Sequence, residues 1–268
     1  MGNDGPEVSD YLYMSLGAGV QSSAMYILAE QGEIPRPEVA IFADTQDEPP
    51  WVYDQLEALE AWSTIPIRRV TAGKISGDMG TRGRFATIPA FTVGSDGKAA
   101  PLRRQCTREY KIAPIQKEVR RLMGYKPRQR IPEGGATCQL GITVDEVTRM
   151  RPSRDRWVIN SFPLIEAKLH RDSCRRIVEE AGFPSPRKSS CIFCPYHGDL
   201  FWHDLKTNHP EIFEEACGFD DRIRDMTKAG DKKPAYLHRS LKPLREVEFI
   251  DERQGMFDWM CDSGHCGV

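Results

Sequence analysis

The chain has 268 residues, enough for one sizeable α/β domain with an appendage or for two small domains. Its net charge of −2 excludes a uniformly basic nucleic-acid binder, yet residues 44 to 60 carry six acids and no base, and residues 103 to 130 carry ten bases against Glu109 and Glu118. No run of about 18 apolar residues occurs and the start, MGNDGPEVSD, lacks a basic stretch followed by an apolar core, so the expectation is a cytoplasmic chain without membrane span or signal peptide, whose cysteines are thiols or metal ligands rather than disulfides. In chain order, YLYMS reads as a first strand, and Ala24, Met25, Ile27 and Leu28 give a helical face after it. EVAIFADT is a second strand, with Val52, Leu56 and Leu59 on the helix behind it, and PIRRVTA a third. Residues 74 to 104 hold Gly, Pro and the turn-rich GSDGKA, which predicts a loop or hairpin excursion. Ile112, Ile115, Val119 and Leu122 form one helical stripe, followed by the strands ATCQLGIT and WVINSFPLI. This alternation is the mark of βαβ units: an α/β fold with a mostly parallel sheet sandwiched by helices. The expected organisation is an α/β domain over 1–168, a helical, cysteine-bearing part over 169–250 and a tail over 251–268.

The first strand runs into SLGAGVQSSAMYIL, where Ser15, Gly17, Ala18 and Gly19 precede a helix at Gln21, Ser22 and Ser23. Such a turn offers backbone N–H groups and the positive end of a helix dipole to a phosphate or sulfate, and it is equally a plain tight strand-to-helix turn. It matches neither the P-loop nor the G-x-G-x-x-G pattern. The acids Asp145 and Glu146 follow a strand end that contains Gly141, a place where ligands collect in open sheets; they suit either Mg²⁺ on a triphosphate or a simple helix start. The basic stretch reads as a solvated face or as a surface for a phosphate-rich ligand. Lys111, five residues after Cys106, aims a positive charge at that cysteine's surroundings and can stabilise a transferring anionic group, with Arg149 and Arg154 as further candidates.

Cys191-x-x-Cys194 lies in a Ser/Pro-bounded loop able to turn both sulfurs toward one metal, although zinc, an iron-sulfur cluster and a redox pair all use this spacing. Cys106 beside the basic stretch and Cys174 on the preceding helix are the supporting cysteines, and four thiolates suit tetrahedral zinc or a [4Fe-4S] cluster. Cys138 and Cys217 read as core residues. Cys261 and Cys266 sit on a glycine-bearing tail, where a thiolate near bases would be reactive.

Taken in order, these segments resemble the PP-loop enzymes of the adenine nucleotide α-hydrolase superfamily. SLGAGVQS is similar to their S-G-G-x-D-S loop and to the S-F-G-A-Q-S form of the sulfonucleotide (APS/PAPS) reductases, with Gly19 and Val20 inserted. IFADTQDEP resembles their strand ending in Asp-Thr-Gly, and RQCTREYKIAP the Arg-x-Cys-Cys-x-x-x-Lys-x-x-Pro segment of iron-sulfur APS reductases, with Thr107 at the second cysteine. LGITVDEVTR looks like a Gly-Ile-x-x-Asp-Glu segment of PP-loop sulfur-transfer enzymes. FPLIE, KSSCIFCP and the terminal HCGV resemble the Pro-Ile-x-x-Trp, Cys-x-x-Cys and Cys-Gly segments of the reductases.

The resemblance implies a nucleotide site in which Ser15, Gly17, Gln21, Ser22 and Gly141 serve the phosphates and Asp44 and Thr45 the adenosine. It also tips the metal reading toward a [4Fe-4S] cluster on Cys106, Cys191 and Cys194; Cys174 is our added fourth ligand, the alternative being an open iron. The expected activity is that of an ATP-dependent sulfurtransferase using ATP and Mg²⁺. Asp145, Glu146, Lys111 and Cys266 would be its catalytic residues, a cysteine desulfurase its sulfur donor and nucleic acid (DNA phosphorothioate modification or tRNA thiolation) its acceptor. The alternative is an APS/PAPS reductase in which Cys266 attacks sulfur and thioredoxin restores the thiol. A third class, a non-catalytic zinc-ribbon adaptor, leaves the first 150 residues without a purpose.

Overall fold

In the computed structural model, residues 11–77, 88–102, 105–225 and 233–249 are described. The strands are β1 (Leu12–Leu16), β2 (Val39–Asp44), β3 (Ile67–Thr71), β4 (Phe91–Val93), β5 (Ala99–Pro101), β6 (Ala136–Gln139) and β7 (Val158–Ser161). The helices are α1 (Val20–Gln31), α2 (Pro50–Trp62), α3 (Ala113–Leu122), α4 (Pro163–Glu166), α5 (Arg171–Glu180), α6 (Asp199–Asn208) and α7 (Pro210–Asp225). A π-helical segment, Thr107–Ile112, leads into α3, and 3-10 turns cover Val144–Arg149 and Leu244–Glu246.

The main sheet has the order β3-β2-β1-β6-β7, with β1 parallel to β2 and β6, and β6 parallel to β7. Strands covered on both faces need near-continuous apolar sequence, and β2 (VAIFAD) and β6 (ATCQ) are buried almost throughout. Side-chain alternation then divides the core in two. Met14, Leu16, Ala40 and Phe42 face α1, α2 and α5, while Tyr13, Val39, Ile41, Ala136 and Cys138 join Ile115 and Val119 of α3 on the other face. The helix-sheet-helix sandwich expected from the alternating patterns is therefore present.

Two expected strands are shorter than read. ATCQLGIT pairs only as far as Gln139, because Gly141 leaves the ladder to meet α1; WVINSFPLI divides into β7 and the turn α4, which Pro163 opens. The excursion between 74 and 104 contains the antiparallel hairpin β4–β5.

The described chain forms two compact units. Of the described residues, unit 1 comprises 11–44, 50–70 and 112–189, and so holds the main sheet with α1 to α5; unit 2 comprises 45–49, 71–77, 88–102, 105–111, 190–225 and 233–249. In unit 2 the segment after α7 is tied down by Asp220, fully buried, whose carboxylate accepts the backbone N–H of Leu237 (2.7 Å) and of Leu244 (2.9 Å). Phe193 stacks on Phe219 with ring centroids 4.5 Å apart. The basic stretch is split between the units, Lys111 ending a segment of unit 2 and Ile112 opening one of unit 1. Among the described residues no helix is long and apolar enough to cross a membrane.

Candidate functional site

Unit 1 presents a site where its strand order reverses. The chain leaves β1 toward β2 on one side while β6 lies on the other, and in open α/β sheets ligands occupy the crevice at the carboxyl ends of the two strands flanking such a switch point. Here that crevice is edged by the loop after β1 and by Gly141 after β6. Ala18 takes a left-handed conformation (φ 53), which turns the chain sharply into α1. The Ser22 hydroxyl closes the loop: it accepts the N–H of Gly17 and of Gly19 (3.2 Å each) and donates to the Gly19 carbonyl (3.3 Å). The inserted pair is accommodated simply, Gly19 as the N-cap and Val20 as the first, buried residue of the helix.

Two of these glycines are required by close approach. A Cβ on Gly19 would stand 2.4 Å from Ser189 Oγ, and one on Gly141 would stand 3.1 Å from the backbone nitrogen of Ser22. Gly17 differs, since its Cβ would meet nothing nearer than 3.7 Å. Ser15, Gly17, Gln21, Ser22 and Gly141 are thus brought together at the start of α1, whose first N–H groups have no partner within the helix. Ser22 is spent on the loop itself.

Ser189, which sequence reasoning missed, lies over the loop because its neighbours are anchored. The Arg187 guanidinium sits 3.9 Å above the Trp51 ring, and Trp51 Nε1 donates to the Lys188 carbonyl. Its only sequence signal was the KSSCIFCP segment, read there for its cysteines alone.

Asp44 and Thr45 diverge in role. Asp44, at the end of β2, accepts a hydrogen bond from the Tyr53 hydroxyl (2.8 Å) in unit 1. Thr45 opens a segment of unit 2, is buried, and donates from its hydroxyl to Glu48 Oε1 (3.1 Å). Asp145 Oδ1 accepts the backbone N–H of Arg171 (3.1 Å), anchoring the start of α5. Glu146 is buried against Arg149 at 2.6 Å. Both acids therefore have structural partners.

In unit 2 the acidic stretch, read from sequence only for Asp44 and Thr45, supplies two buried carboxylates. Asp47 accepts the N–H (2.7 Å) and hydroxyl (3.0 Å) of Ser76, and its carbonyl accepts the N–H of Ile192, between Cys191 and Cys194 (2.8 Å). Glu48 lies 3.4 Å from Lys111 Nζ. Consecutive residues thus hold the Cys-x-x-Cys turn and Lys111.

Of the four cysteines expected at a cluster, Cys174 lies in unit 1 and Cys106, Cys191 and Cys194 in unit 2. Cys191 and Cys194 are joined by a turn in which the Cys194 N–H donates to the Cys191 carbonyl (3.0 Å), and the His197 ring bonds that same carbonyl (2.9 Å). Cys174 is fully buried in the apolar core between α1 and α5, and burial, followed by the charges of Asp145 and Glu146, pushes its thiol up to about 12. Its side chain packs as part of the apolar core. Among the described residues no three His, Cys, Asp or Glu side chains gather as a metal would require. Cys138 and Cys217 are buried core residues, their thiols pushed up to about 12 and about 11 chiefly by burial. Cys261 and Cys266 lie outside the described residues.

Fold and loop together define an α/β protein with a doubly wound sheet and a glycine-bearing loop at its switch point. No protein-family model and no curated protein matches the sequence. Among solved structures the chain is similar to the crystal structure of phosphoadenylyl-sulfate (PAPS) reductase from Candida auris in its phosphate complex, with a TM-score of 0.43 and 13% identity over 67% of this chain and 80% of that one.

Proposed function

We propose that this chain is an enzyme of the PP-loop type that binds an adenine nucleotide by its phosphates, and that it acts as an ATP-dependent sulfurtransferase. The observation that supports the nucleotide site is the glycine-bearing loop between β1 and α1 at the switch point of the sheet, a place where helix N-terminal N–H groups can meet an anion. In this reading ATP adenylates an oxygen of the acceptor with release of pyrophosphate, the outer sulfur of a cysteine persulfide displaces AMP to give an acceptor–S–S–cysteine linkage, and a second thiol reduces that linkage, leaving the sulfur on the acceptor and a disulfide between the two thiols. Unit 1 binds and orients the phosphates, and Lys111 balances negative charge on the transferring group. The acceptor is nucleic acid, by DNA phosphorothioate modification or tRNA thiolation, and a cysteine desulfurase supplies the sulfur. Because Asp145, Glu146 and Cys174 have structural partners, no step is drawn through Mg²⁺ or a cluster.

The second reading is a sulfonucleotide reductase, favoured by Cys106 standing immediately before the helical segment Thr107–Ile112 that carries Lys111. Its nucleophile would be Cys266 and its reductant thioredoxin. Pyrophosphate release from ATP with nucleic acid present, measured beside sulfite release from APS and PAPS, separates the two. Turnover of ATP supports the first reading, sulfite formation without ATP turnover supports the second, and neither product from a folded protein removes both.

A further inference from the structure

We infer that Glu48 is the positioning residue of Lys111, an inference that rests on the proposed role of Lys111 as the charge-balancing group. The turn that carries Glu48 is fixed on three sides within unit 2: the Thr45 carbonyl accepts the N–H of Ile75 (3.1 Å), the Asp47 carboxylate holds Ser76, and the Asp47 carbonyl holds Ile192. Glu48 therefore projects from a rigid base. Its side chain is 2% exposed, whereas Lys111, 3.4 Å away, keeps 29% of its side chain exposed, so the carboxylate stands behind the ammonium.

An ion pair kept only for stability would satisfy both carboxylate oxygens, since a buried one left without a donor costs the free energy of its desolvation. Glu48 does not follow this rule. Oε1 takes the Thr45 hydroxyl, and Oε2 is buried with no hydrogen-bond partner. Lys111 also lies in the last turn of a π-helical segment, a rare conformation frequent at functional sites. Thr107 on that same segment has a buried hydroxyl that likewise lacks a partner. An unsatisfied carboxylate oxygen beside the ammonium, and an irregular helix that carries the lysine, mark a place where stability has been given up for placement of charge.

The test is the reactivity of Lys111 toward trinitrobenzenesulfonate, followed on the Lys111 peptide by mass spectrometry without any nucleotide, in the wild type, Glu48→Gln and Glu48→Asp. The inference expects several-fold faster labelling in Glu48→Gln at an unchanged or higher Tm, with Glu48→Asp, which keeps the charge, returning toward the wild-type rate. With whichever substrate the preceding assay identifies, kcat of Glu48→Gln should fall about tenfold to a hundredfold and KM much less. An unchanged Lys111 labelling rate in folded Glu48→Gln overturns the inference. So does a lowered Tm with all lysines labelling faster together, which is the mark of a merely structural pair. Should Glu48→Gln fail to fold, a Glu48→Asp protein labelled at Lys111 no more slowly than at its other lysines overturns it as well. Labelling needs no substrate, so a response at Lys111 with no turnover of ATP, APS or PAPS removes the proposed function and leaves Glu48 as the holder of Lys111.

Discussion

Gly17 and Gly19 are two residues apart and have opposite reasons to be glycine. A Cβ on Gly17 makes only ordinary contacts, so Gly17→Val should fold with a Tm close to the wild type and lose nucleotide affinity at least about tenfold, roughly 1.4 kcal/mol, because the side chain stands where a phosphate must approach backbone. Isothermal titration with ATP checks this; full affinity in the folded variant would remove the site. At Gly19 the obstacle is Ser189, so Gly19→Ala should lower stability by about 1–3 kcal/mol through overpacking, and adding Ser189→Ala should restore part of it. Thermal melts of the single and double variants give the answer, and strict additivity would show that the two side chains do not meet. Sequence alone could point to both glycines as loop residues. It could not show which one the protein itself requires, because that depends on a serine 170 positions later, fixed there by Arg187 on Trp51.

Among the elements, α5 and the segment after α7 depend on single carboxylates. Asp145→Ala should cost about 1 kcal/mol, the usual worth of an acceptor at a helix start. Glu146→Ala should cost about 3 kcal/mol, since it strands Arg149 beside a buried position. Chemical denaturation ranks them, and a smaller loss for Glu146→Ala than for Asp145→Ala would contradict the burial argument. For Asp220→Asn the cost is about 3 kcal/mol, because Leu237 and Leu244 donate to different carboxylate oxygens and the amide puts an NH2 donor in place of one of them. Faster hydrogen exchange at those two amides, with the β1 and β6 amides unaffected, is the expected signature. The adjacent acids Asp145 and Glu146 read alike in sequence as site or helix-start residues. Only the placement of His170–Glu180 and Arg149 around them assigns one to an anchor and the other to an ion pair.

For the molecule as a whole, Cys138, Cys174 and Cys217 predict a response to alkali. Burial raises their thiols to about 12, about 12 and about 11, while in the unfolded chain a cysteine ionises near 8.5. The folded pKa values being the higher, these thiols contribute stability that is complete below about pH 8.5 and is lost as pH rises toward 11 to 12. Each thiol then favours unfolding by roughly tenfold per pH unit, so Tm should fall steeply from about pH 9, and Cys138→Ser or Cys217→Ser should flatten that fall while lowering Tm at neutral pH. A flat alkaline limb in the wild type would refute the burial of these groups. The sequence by itself determined the parallel α/β sandwich, the strand-to-helix loop and the core roles of Cys138 and Cys217. Those depend on periodicity and on short-range turn chemistry, which are local. Tertiary structure alone decided that Cys174 packs between two helices, that Asp47 and Glu48 bind the Cys-x-x-Cys turn and Lys111, and that each compact unit draws on stretches far apart in the chain. These are contacts between segments tens of residues distant, and no spacing along the chain records them.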